Sequence, residues 1–93
     1  MNLSKRFERS SRRVWRLKEK PDDSTLLNLY ALYKQATEGD AKSPHPIPDG
    51  MAGLAKWRAW RKLRGTSVEE AMERYCELVD SLMNRSGSSA SPS

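Results

Sequence analysis

The sequence predicts an all-α protein, a four-helix bundle, and three observations carry that expectation. Apolar residues recur at helical spacing in four separate stretches. The segments between them collect proline, glycine and acidic or serine residues, which break or cap helices. No run of alternating apolar and polar residues marks a strand, and no internal repeat stands out. At 93 residues the chain has room for one domain with a small core.

In the first stretch Leu3, Phe7, Val14 and Leu17 share a face, with the small residues Ser10 and Ser11 on or beside it. This helix is expected to continue toward Pro21, which closes it because the residue before a proline disfavours helical backbone. Asp22 and Asp23 then occupy the cap and first turn of a second helix over about residues 24–37. It is rich in Leu26, Leu27, Leu29 and Leu32, carries Tyr30 and Tyr33, and is ended by Gly39. Residues 39–50 hold three prolines and two glycines and read as a loop.

From Met51 a third helix presents Leu54, Ala55, Trp57, Trp60 and Leu63, and Gly65 stops it. Ser67-Val68-Glu69-Glu70 has the form of a capping box and starts a fourth, with Ala71, Met72, Tyr75, Leu78, Val79 and Leu82 inward. The domain is expected to span residues 1–83. Residues 84–93 are Ser-rich and read as a disordered tail.

The net charge of +5 is unevenly spread. Residues 1–20 carry +6 and residues 51–66 carry +5, while residues 21–50 and 67–93 carry −3 each. If the basic segments meet, they make a patch for an anion. One cysteine excludes an internal disulfide and a multi-cysteine zinc site. No apolar run is long enough for a membrane span, and no secretory signal opens the chain, so a cytoplasmic protein is expected.

Three groups of residues carry possible chemistry. Tyr30 and Lys34 lie at i and i+4 on one side of the second helix, with Tyr33 one step around. A phenol beside an ammonium suits a phosphate oxygen, though core tyrosines with a snorkelling lysine give the same spacing. Trp57 and Trp60 share a face, with Lys56 four residues before Trp60. Indoles beside cations can stack on a base, while in so small a domain they are first of all core. Arg9, Arg12, Arg13 and Arg16 crowd the first helix, either as a solvated face or as an attractor for polyanions. Enzymatic constellations are missing. His45 stands alone between Pro44 and Pro46, and Cys76 lies mid-helix as packed cysteines do, so no catalysis is expected.

Taken together, these residues resemble the acyl-CoA-binding protein family. The matching stretches are LKEKP at Leu17–Pro21, LYALYKQATEGD at Leu29–Asp40, AKWRAW at Ala55–Trp60 and RGTSVEEAMERY at Arg64–Tyr75. They come in the family's order and cover roughly residues 3–83. The resemblance implies a four-helix bundle that binds long-chain acyl-CoA thioesters in a shallow bowl. It implies that Tyr30, Lys34 and Lys56 hold the ribose 3′-phosphate and adenine, with Tyr33 near the adenine and Tyr75 lining the site. It also implies that the acyl chain lies along Leu26 and Leu27. One departure is Trp15, where the family usually offers a polar or basic side chain. The implied role is non-enzymatic transport and buffering of acyl-CoA by a cytoplasmic monomer. Acyl-CoA is the cargo, acyl-CoA-using enzymes are the partners, and no cofactor, metal or nucleic acid is expected. The alternatives from the residues alone are a helical nucleic-acid-binding domain and a protein-interaction bundle with a lapsed ligand site.

Overall fold

The structure, a computed structural model, describes residues 2–42 and 50–87. Four helices appear in the expected order: α1 (Leu3–Arg13), α2 (Asp23–Glu38), α3 (Gly50–Arg61) and α4 (Val68–Gly87). The described residues include no strand. The loop around His45 and the last six residues, part of the expected tail, lie outside the described residues.

The starts of α2 and α4 follow the cap chemistry read from the sequence, and α1 is capped by Asn2, which that reading leaves unmarked. Asn2 Oδ1 accepts the Lys5 amide at 2.9 Å, and Asp22 Oδ1 accepts the Thr25 amide at 2.8 Å. Ser67 Oγ accepts the Glu70 amide at 3.0 Å, one half of the expected capping box. The other half is not made, because the Glu70 carboxylate pairs with Arg74 one turn on. Gly39 ends α2 at φ 79°, a left-handed backbone that glycine adopts without a Cβ penalty.

Two boundaries differ from expectation. α1 stops at Arg13 and tightens into a 3-10 turn over Val14–Arg16, after which Leu17 is extended (φ −62°, ψ 133°). Pro21 explains only its own neighbour; the chain leaves the helix earlier, and the extended stretch wraps back toward α2. At the other end α4 runs to Gly87, four residues beyond the expected domain limit.

α4 packs against both α1 and α2, while α3 packs on α2. The core is Phe7 from α1, Leu29, Leu32 and Ala36 from α2, and Ala71, Tyr75, Cys76, Val79 and Leu82 from α4. Val14 and Leu17 pack against it, so the apolar stripe survives the change of backbone. Arg6 and Arg13 both donate to the Asp80 carboxylate, at 3.2 and 3.0 Å, and brace α1 on α4. These partly exposed pairs are each worth only about 0.2–1 kcal/mol.

α3 supplies no buried residue. Trp57 and Trp60, expected in the core, are half-buried and act instead as pins on backbone. Trp60 Nε1 donates to the Gly39 carbonyl at 2.8 Å, and Trp57 Nε1 to the Lys42 carbonyl at 3.2 Å. An indole carries one donor, and these two meet carbonyls left by the chain as it exits α2.

A polar clasp closes the same end. Fully buried Gln35 donates through Nε2 to Asp40 Oδ1 and to the Thr66 carbonyl, both at 2.8 Å. Asp40 Oδ1 also accepts the Gly65 amide at 2.9 Å. That amide bond, then the Gln35 bond, holds the Asp40 carboxyl below the ordinary 3.8. Asp22 is lowered in the same direction by the Thr25 amide. A carboxyl lowered in the folded state adds stability that is complete above 3.8 and lost as pH falls through the native value. Denaturant midpoints should therefore fall as pH is lowered through and below 3.8, and the fall should shrink in Asp40→Asn. An acid slope unchanged in that variant would remove Asp40 from this account.

Candidate ligand-binding site

A hollow of about 1010 Å³ opens between α1, α2 and α4, within the range of small-molecule sites and at its upper end. Its apolar wall is Val14, Leu17, Pro21, Leu26 and Leu29. Three tyrosines, Tyr30, Tyr33 and Tyr75, line it as well. Arg12, Lys20 and Lys56 bring positive charge to the lining, against the single acid Glu19. One side of the cavity thus suits a hydrocarbon, and its edge suits a polyanion.

The aromatic floor is built on Phe7. Its ring stacks on Tyr33 at 5.6 Å and meets Tyr75 edge-on at 5.1 Å, and Tyr33 lies 6.0 Å from Tyr75. Phe7 and Tyr75 are buried, while Tyr33 is 42% exposed and presents itself to the opening. Burial first, then Tyr33 and Cys76, pushes the Tyr75 hydroxyl up to about 12, so it remains a neutral donor at neutral pH.

Of the residues expected in the site, Tyr30, Tyr33, Lys56, Tyr75 and Leu26 line this hollow together. Lys56 reaches it from α3, with its ammonium 5.6 Å from the centre of the Tyr30 ring. The two basic segments of the sequence do meet here, through Arg12 and Lys20 on one side and Lys56 on the other.

Leu27 and Lys34 are placed elsewhere. Leu27 lines a second, smaller hollow of about 500 Å³ with Leu63 and Leu78, because neighbours on a helix point some 100° apart. Lys34 sits 5.0 Å from the Trp60 ring centre and is paired with Glu38. Its i+4 relation to Tyr30 is intact, yet it is not part of the lining.

Sequence reasoning missed the contribution of Leu17–Pro21. Read as the end of a helix, this segment gave no reason to point Leu17, Lys20 and Pro21 at α2. The available signal was Pro21 itself, which disfavours helix at Lys20 and so calls for extended chain before α2. Among the described residues no helix is long and apolar enough to cross a membrane. Nor do three or more His, Cys, Asp or Glu side chains gather there as metal ligands would.

Comparison with known proteins agrees with this architecture. Residues 4–79 match the family described as "Acyl CoA binding protein". The acyl-CoA-binding protein of Saccharomyces cerevisiae is 44% identical over 81 residues, which is 87% of this chain and 93% of that protein. The acyl-CoA-binding protein of Brassica napus is 41% identical over 91 residues, covering 98% and 99% of the two chains. The crystal structure of Oryza sativa Acyl-CoA-Binding Protein 2 superposes with a TM-score of 0.85 at 35% identity, over 99% of this chain and all of that one. An all-α bundle with an amphiphile-shaped hollow, matched along nearly its whole length in sequence and in three dimensions, belongs to the acyl-CoA-binding protein family.

Proposed function

We propose that this protein binds long-chain acyl-CoA without catalysis, and that it carries and buffers these thioesters in the cytoplasm as a monomer. The observation that carries the reading is the pairing, in one hollow, of an apolar wall with a cationic and phenolic edge. An acyl-CoA has the same division, hydrocarbon at one end and phosphates at the other. Tyr30 and Lys56 are the proposed phosphate and adenine contacts, with Tyr33 against the base and Tyr75 within the lining. Leu26 and Leu29 would meet the acyl chain; Leu27, on the far hollow, would act only through packing. Acyl-CoA-using enzymes are the proposed recipients.

Lys34 needs a rearrangement to serve. Its bond to Glu38 is on the exposed side of the helix, where such pairs are worth about 0.3–0.5 kcal/mol and are easily exchanged for a phosphate. Lys56→Ala is expected to weaken palmitoyl-CoA and CoA alike, by about tenfold or more, from the loss of a charge-assisted bond. Glu38→Gln, which frees Lys34, should tighten both by up to about twofold. Unchanged affinity in Glu38→Gln, with Lys34→Ala also silent, would remove Lys34 from the phosphate site. The direct test is calorimetric titration with palmitoyl-CoA, CoA and palmitate. Saturable 1:1 binding of the first, weaker binding of the second and none of the third are expected. Failure to bind palmitoyl-CoA would overturn the proposal.

A further inference from the structure

Of the eight cations in residues 1–20, Arg6 and Arg13 are used on Asp80. Lys5, Arg9, Arg12, Arg16, Lys18 and Lys20 are exposed and have no carboxylate partner among the described residues, and the last five of them run from Arg9 to Lys20. In the middle of this run stands Trp15, 87% exposed and free of any hydrogen bond or ring contact among the described residues. No part of the core depends on this indole. The 3-10 turn that ends α1 is what puts it there, and the same turn sets Trp15 in the hollow's lining with Arg12 of α1.

We infer that this rim is a docking surface for an anionic lipid bilayer, with the mouth of the hollow facing the membrane. Charge complementarity supplies the first argument: Glu19 is the only acid between Arg9 and Lys20. Each Lys or Arg brought to an anionic leaflet strengthens association by about fivefold. The second argument separates a bilayer from a nucleic acid. Tryptophan partitions to the boundary between headgroup and hydrocarbon, and here it adjoins the apolar wall formed by Val14, Leu17 and Pro21. A duplex would use the cations alone. The surface goes beyond the carrier reading, because docking requires no bound ligand; its consequence is that cargo leaves or enters at the bilayer face.

Flotation of the ligand-free protein with vesicles tests it, comparing phosphatidylcholine alone with vesicles containing about one-third phosphatidylserine. Binding is expected only to the anionic vesicles, with a blue shift of tryptophan emission that Trp15→Ala abolishes. The double variant Arg16→Gln/Lys18→Gln, neither residue lining the hollow, should weaken binding by about 25-fold at unchanged melting temperature. The matched variant Arg58→Gln/Lys62→Gln, in the last turn of α3 and just after it, should change it by less than about twofold. Equal losses in the two double variants would reduce the effect to net charge and overturn the proposal. So would an emission shift that persists in Trp15→Ala, or tight binding to duplex RNA with none to vesicles. Palmitoyl-CoA titration of Arg16→Gln/Lys18→Gln keeps the two readings apart, since neither residue lines the hollow and the variant should retain its ligand affinity.

Discussion

Palmitoyl-CoA is expected to bind about a thousandfold more tightly than CoA itself. Burying a methylene contributes about 0.8 kcal/mol, so ten of them on the wall of Leu17, Leu26 and Leu29 contribute about 8 kcal/mol. Ordering a flexible chain offsets about half of this, and the remaining ~4 kcal/mol corresponds to three orders of magnitude. The phosphates and adenine are common to both ligands and cancel from the ratio. A heat-capacity change more negative for palmitoyl-CoA than for CoA would mark the apolar burial directly. A ratio near one would mean that the chain stays in solvent and that the hollow reads only the nucleotide end. Substituting Leu26 by Asn should lower the ratio, because an amide placed on the wall is desolvated by the acyl chain without a partner.

The largest effect on stability is expected from Phe7→Ala. Phe7 is 6% exposed, belongs to the central cluster and touches both Tyr33 and Tyr75. Removing a buried phenyl ring costs about 3–5 kcal/mol through lost transfer energy and the cavity left behind. That is a large part of the 5–15 kcal/mol typical of a whole domain, and in a chain this size it lowers the melting temperature by at least about 12 °C. Phe7→Leu refills most of the space and should cost less than half as much. Because Phe7 is also the floor under two tyrosines of the hollow, Phe7→Ala should loosen ligand binding even where the protein is still folded. A loss below about 1 kcal/mol would show that the ring is not part of the close-packed core.

Both expectations rest on features of unequal visibility in the sequence. The helices were legible because their signals are local. Asp22 and Ser67 cap with side chains that reach three residues ahead, and Gly39 supplies a backbone conformation that ends α2 cheaply. The core face of α4 was legible for the same reason, as Ala71, Tyr75, Val79 and Leu82 fall on one stripe of a regular helix. Trp57 and Trp60 were misplaced because periodicity says only that two residues share a face. It does not say how deep that face lies. Whether an indole enters the core or donates to a carbonyl at the end of α2 depends on where α3 is set down, and α3 packs mainly on α2.

The same distinction divides the candidate site. Tyr30 and Lys34 are neighbours by helical geometry wherever α2 lies, and that much was readable from their spacing. Which of them faces the cavity was not. Lys34 is drawn to Glu38 and the Trp60 ring, while Lys56, twenty-six residues from Tyr30 in the chain, comes to lie beside it. Leu26 and Leu27 differ by one residue and end on different hollows. The four helices, the caps at Asp22 and Ser67, the separation of basic from acidic segments and the family are all legible in the order of residues. Which cations share the hollow, that Leu17–Pro21 lines it and that Trp15 stands in solvent at its rim emerge only when the helices are assembled. Caps and stripes are set by contacts within three or four residues, whereas a cavity exists only between elements, and its lining follows from how α1, α2 and α4 pack.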